Sequence, residues 1–121
     1  MNAKKLVRGL TYLGNVTGKK QTYHVFGGAG FYFVLSFSRS KRGAGNFNYV
    51  DAGAVEYVHK RFAGKSNVTT ADVVKKTRRS RRVGNALAAL NMLYVLAAMG
   101  RAKVDARRSG PKLFFNVHRS K

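Results

Sequence analysis

This chain has no cysteine at all, and acids are nearly as scarce. The missing thiols exclude disulfides, cysteine-based zinc sites and thiol catalysis, and they leave the redox compartment open. Asp51, Glu56, Asp72 and Asp105 are the four acids in 121 residues. They are too few and too scattered for paired carboxylates or a metal-dependent nuclease. His24, His59 and His118 stand singly, far apart, and read as satisfied or exposed rings rather than ligands or bases. The expectation is a protein that is not an enzyme and holds no cofactor and no metal. No apolar run reaches the roughly 20 residues of a membrane-spanning helix. The N-terminus, MNAKKLVRGLTYLGNV, is basic but lacks the apolar stretch of a signal peptide. A cytoplasmic or nucleoid-associated protein, not secreted, is expected, and the glycosylation sequons at Asn15 and Asn67 then carry no meaning.

What is abundant is positive charge. The chain holds 24 Lys and Arg, for a net charge of +20. Four acids cannot neutralise them internally, so the folded chain repels itself. Such a chain fits a polyanionic partner, nucleic acid first and an anionic membrane surface second. Hydrophobic residues make up 45% of the sequence, enough for a packed core in a single domain or two small lobes.

Two segments of different character follow one another. Residues 1–48 contain no acid and hold LTYLGNV, QTYHVFG and FYFVLSFS, rich in aromatic and β-branched residues and separated by TGKK and GGAG. They read as a three-stranded antiparallel meander. In the third strand Phe31, Phe33, Leu35 and Phe37 share one face, which is expected to pack on a helical layer. The segment SRSKRGAGNFN follows as a loop, with Arg39, Lys41 and Arg42 as candidate phosphate contacts.

From Asp51 the periodicity turns helical, so residues 49–121 are read as a second unit. DAGAVEYVHKRF places Ala54, Val55, Val58 and Phe62 on one helical face, with Asp51 as N-cap. VTTADVVKKT gives a short extended stretch and a second helix. Thr70 is the expected N-cap, Asp72 lies at the positive end of the dipole, and Val73 and Val74 face inward. A turn around Arg78, Arg79 and Ser80 leads into a longer helix that stops at Gly100. In it Val83, Leu87, Leu90, Tyr94 and Ala97 form an apolar stripe that Ala86, Leu93 and Leu96 widen. A stripe so wide needs cover on more than one side. The meander or a homodimer interface would supply it. RAKVDA and KLFFNV then make a β-hairpin, with Gly110-Pro111 at the turn.

The stretch VTTADVVKKTRRSRRVGNALAALNMLYVLAAMGRAKV, within residues 51–118, resembles the winged helix-turn-helix superfamily. It has the Thr-capped second helix, the Ser-containing turn, the apolar Val and AL..L positions, the closing glycine and the wing. The resemblance implies an α+β fold, a winged helix-turn-helix with an N-terminal antiparallel β meander. It also implies a longer helix that enters the major groove by its N-terminal part, and a wing that grips the flanking backbone. Arg78, Arg79, Arg81 and Arg82 crowd the start of that helix, and Arg107, Arg108 and Lys112 surround the wing turn. Both would meet phosphate, helped by the free N–H groups of the helix N-terminus. Gly84, within the first turn, could allow close backbone approach. Asn85 could then pair bidentately with adenine, or simply be exposed.

Other motifs are weaker. GNVTGKK has three residues between its glycines, not the four of a phosphate loop. GFYFVLSF shares aromatic positions with the base-stacking strand of RNA-recognition motifs. However, Ala29 stands where Lys or Arg is usual, Ser36 replaces the last aromatic, and the βαββαβ order is absent. Core packing is the reading adopted, although Tyr23, Tyr32 or Tyr49 would stack on single-stranded bases if exposed. The function expected is non-enzymatic DNA binding, as a transcriptional regulator or chromatin-type protein, with duplex DNA as partner. The alternative is a structural RNA-binding protein of ribosomal type, which would suit the shortage of acids.

Overall fold

The computed structural model describes residues 10–17, 21–37, 45–77, 83–105 and 113–119. The architecture is α+β. Four strands, β1 (Thr11–Thr17), β2 (Thr22–Gly27), β3 (Phe31–Phe37) and β4 (Gly45–Asp51), form an antiparallel meander in sequence order. Three helices follow, α1 (Ala52–Phe62), α2 (Thr70–Lys76) and α3 (Ala86–Ala98), and then the hairpin β5 (Ala102–Val104) and β6 (Phe115–Val117).

The meander has one strand more than the sequence suggests. The segment read as a loop runs into β4, which pairs along its whole length with β3, from Phe37 opposite Gly45 to Phe31 opposite Asp51. The division expected at 48/49 therefore falls inside a strand. Asp51 ends β4 and at once caps α1, its Oδ2 accepting from the Ala54 N–H at 2.9 Å. At the opposite edge β1 carries a bulge between Tyr12 and Gly14. Gly14 has φ +147, and a Cβ there would lie 2.8 Å from the Ala98 carbonyl oxygen. Only glycine lets the end of α3 approach β1 so closely.

The sheet's orientation is the reverse of the expected one. Tyr32, Val34 and Ser36 of β3 lie on the face that meets the helices, in register with Gly27, Val25 and Tyr23 of β2. Phe31, Phe33, Leu35 and Phe37 point the other way, and Phe37 is about half exposed. The inner face is smaller because α3 lies directly on it, and a row of phenylalanines would hold the helix off.

Helix α3 is the centre of the molecule. It touches all four strands of the meander on one side and α1, α2 and β5 on the other. Ala89 and every residue from Asn91 to Leu96 are buried, as befits a helix that is apolar all round. The meander is thus one cover, with its inner face rather than its phenylalanine face. Leu87, placed on the apolar stripe by its spacing, is instead 59% exposed, because the sheet covers the helix only from the second turn. At its other end α3 closes with a paired-bond cap: Arg101 N–H donates to the Leu96 carbonyl at 2.8 Å and Gly100 N–H to Ala97 at 3.1 Å. Gly100, at φ +77, adopts the left-handed conformation this requires.

The remaining elements form a small second layer. Val68 and Phe115 exchange both backbone hydrogen bonds at 2.8 Å, so the stretch before α2 pairs with β6, whose other edge pairs with β5. The Val117 N–H donates to the Lys65 carbonyl, and the Gly64 N–H to the Val117 carbonyl, each at 2.9 Å. Phe115 is fully buried at the junction, against the edge of the Tyr94 ring.

Candidate nucleic-acid interface

Helix α2 is fixed by a capping box. The Thr69 hydroxyl accepts from the Asp72 N–H at 3.2 Å, and the Asp72 carboxylate accepts from the Thr69 N–H at 3.0 Å. The cap is therefore Thr69, not Thr70, which is the first helical residue and half-buried. The Thr-x-x-Asp spacing was the signal that separates the two neighbouring threonines. Thr77 ends the helix, buried, its hydroxyl donating to the Val73 carbonyl at 2.6 Å.

Helix α3 begins at Ala86, later than the sequence reading placed it. Gly84 lies outside the helix without a left-handed backbone, and no described residue beyond its chain neighbours comes within 4 Å of where a Cβ would stand, so the described residues do not demand glycine there. Asn85 is the exposed N-cap, and its Oδ1 accepts from the Ala88 N–H at 2.9 Å. A bidentate contact with adenine would have to share that oxygen. Ala86 and Leu87 complete an exposed first turn whose backbone N–H groups point outward, as at any helix start.

The other sequence-selected residues, Arg78, Arg79, Ser80, Arg81, Arg82, Arg107, Arg108, Lys112, Arg39, Lys41 and Arg42, lie outside the described residues. A cleft of about 190 Å³ opens between the sheet and α3, lined by Ser36, Asn46 and Asn48 on one wall and Leu87 and Asn91 on the other. Ser36 and Asn46, near the joined ends of β3 and β4, therefore lie beside the start of α3.

Several cations were not singled out by the sequence reading. Lys75 and Lys76 are exposed on the last turn of α2, and Lys60 and Arg61 on the last turn of α1, where the helix dipole favours positive charge. Only their place at helix C-termini could have marked them.

The acids have structural work. Asp51 and Asp72 cap helices, and Glu56 pairs with Arg101 at 2.7 Å in a partly exposed bridge that contributes at most about 1 kcal/mol. The histidines are bonded too. His59 Nε2 donates to the His118 carbonyl at 3.0 Å, His118 Nδ1 to the Gly100 carbonyl at 3.1 Å, and His24 Nδ1 meets the Tyr12 hydroxyl at 3.1 Å. Among the described residues no group of three His, Asp or Glu is placed to hold a metal ion. No described helix is long and apolar enough to cross a membrane.

The outer face of the sheet is a second surface. It carries Tyr12, His24, Phe26, Phe31, Phe33, Phe37, Phe47 and Tyr49 in register across the strands. Phe33 stacks on Phe47 with centroids 4.3 Å apart, and Tyr49 lies 5.6 Å from Phe31, nearly parallel to it. Comparison of the chain with protein-family models, with curated proteins and with solved structures finds no match.

Proposed function

We propose that this is a non-enzymatic nucleic-acid-binding protein in which residues 51–118 act as a winged helix-turn-helix on duplex DNA. One observation carries the reading. The order α1, paired stretch, α2, α3, β5, β6 is combined with the bridge that sets Val68 beside β6, so the segment and the hairpin make one small sheet. In a winged helix-turn-helix a third helix meets the major groove by its N-terminal part and the hairpin serves as a wing, and this order of elements supports that reading. The net charge of +20 supports a polyanionic ligand. Contact is made by the first turn of α3 and by the basic sequences flanking it and the wing, among them Arg81, Arg82, Arg107 and Arg108. Binding of a duplex oligonucleotide across a salt series is the test. With about six phosphates neutralised, the log–log slope is near −5. A flat response removes the proposal.

A structural RNA-binding role is the second reading, and the burial of α3 favours it. From Ala89 to Leu96 the helix has no face free to lie along a groove, apart from the half-buried Leu90. A surface that meets phosphate mainly at one helix end suits a shaped RNA as well as a duplex. Competition between duplex DNA and structured RNA at matched salt separates the two. A cytoplasmic or nucleoid-associated location, and any homodimer, belong to these proposals.

A further inference from the structure

We infer that the outer face of the meander is a separate binding surface, on which unpaired bases of single-stranded RNA stack. The inference rests on the nucleic-acid reading above, in its RNA form. Its basis is the reversed sheet. Tyr49 is 63% exposed and Phe47 38%, while Tyr12 and Phe37 are each about half exposed. Beneath them the half-buried Phe26, Phe31 and Phe33 form a floor. Tyr12 rests on Phe26 at 5.2 Å, and Phe31 meets Phe33 edge-on at 5.0 Å. Rings that already support one another lose little freedom when a further flat ring lands on them. Contiguous apolar surface of this kind marks an interaction site rather than an ordinary protein exterior.

The charge of the chain selects the occupant. The sheet and everything before it hold no acid up to Asp51, and Asp51 is engaged by the start of α1. A partner must therefore offer flat apolar faces together with negative charge. A single-stranded nucleic acid does both, with stacking from the bases and charge from the phosphates. A second copy of this chain would bring two bodies of +20 together. RNA is preferred over single-stranded DNA because unpaired bases are a standing feature of folded RNA. Hydrogen-bonding groups also lie beside the rings: Asn15 Nδ2 donates to the Tyr12 hydroxyl at 3.1 Å, and that hydroxyl meets His24 Nδ1. Such groups can take a ribose hydroxyl or a base edge.

The test uses the full chain with labelled oligouridylate, oligodeoxythymidylate of the same length and a duplex of either kind. Tyr49→Ala and Phe47→Ala should each weaken oligouridylate binding roughly tenfold and leave duplex binding unchanged, and Tyr49→Phe should bind as the parent does. The chain has no tryptophan, so tyrosine emission of the unaltered protein gives a measurement that needs no variant. Oligouridylate should quench it and duplex should not. Unchanged oligouridylate binding in the Ala variants, or equal losses on duplex and single strand, overturns the inference. So does equal or tighter binding of oligodeoxythymidylate, or a concentration-dependent dimer that the Ala variants dissolve while RNA binding persists. If the parent protein binds no nucleic acid at all, the broader reading fails instead.

Discussion

Tyr23 of β2 and Tyr94 of α3 stack face to face, with ring centroids 4.2 Å apart and planes 19° apart. This contact joins the meander to the central helix. Burial raises the pKa of the Tyr94 phenol above its ordinary value of 10.0, and the charge of Tyr23 and a hydrogen bond with it act in the same direction. The folded state thus favours the neutral phenol. Below pH 10 both states hold it neutral and its contribution is complete. As the pH rises past 10 the unfolded chain releases the proton first, binds fewer protons than the native one, and stability falls.

Unfolding in urea at about pH 8 and about pH 10.5 checks this. The parent protein should lose more stability over that interval than Tyr94→Phe, in which the titrating group is gone. Equal losses would show that Tyr94 is not the group responsible.

Gly14→Ala should destabilise the protein by about 2 kcal/mol, from a strained backbone and a clash with a carbonyl that cannot swing away. Gly84→Ala should cost little, since no described residue beyond its chain neighbours lies within 4 Å of a Cβ there. Thermal melts of the two variants give the contrast. A Gly84→Ala variant that folds normally and yet binds duplex poorly would show that the glycine serves the ligand.

Thr69→Ala should cost about 1 kcal/mol, the usual value of a lost helix cap. Thr70→Ala should cost less, because Thr70 has no part in the capping box. Denaturant midpoints for the pair decide between them. A larger loss at Thr70 would contradict the assignment of the cap.

Phe115→Ala should destabilise by about 3–5 kcal/mol, as for other fully buried phenylalanines. It should loosen the hairpin and the stretch around Val68 together, because these share Phe115 as their joint. Amide exchange at Val68 and Val117 would report it. Protection that stays intact at Val68 while the hairpin opens would show the two to be independent.

For nucleic-acid contact, Arg81→Ala with Arg82→Ala should weaken duplex binding more than Lys4→Ala with Lys5→Ala. Binding isotherms at one fixed salt concentration suffice. Equal losses would argue against a contact centred on the start of α3.

The helices were legible because their signals are local. Asp51 stands in front of Ala54, Val55, Val58 and Phe62, and the structure buries that face and uses that cap. Gly100 stopped α3 as its lack of a Cβ predicts. The hairpin was equally plain. The strands misled because β3 is apolar on both faces, so alternation gives the register and not the direction. Bulk pointed to Phe31, Phe33 and Phe37 as the core. The deciding fact is how closely α3 approaches, and that depends on Gly14, Ser36 and Val34, which are small and draw no attention. β4 was hidden because Gly45, Asn46 and Asn48 mask the alternation of Phe47 and Tyr49. Of the candidate site, the charge could be read, and of the aromatic surface only Tyr49 was named, while Tyr23 and Tyr32 turn inward, half-buried. The phenylalanines join it only once the sheet has turned them outward.

The covering of the sheet by α3 also has a consequence in time. A chain made from its N-terminus completes β4 at Asp51, while the helix that closes over Val25, Val34 and Val50 ends at Ala98. At about 5–20 residues per second the newly made sheet waits roughly 2–9 s with both faces bare. During that interval exposed apolar surface and unpaired strand edges leave the nascent chain open to aggregation. Slowing translation between Asp51 and Ala86 would lengthen the exposure, and synonymous codons there are a handle on how much of this protein reaches its native state.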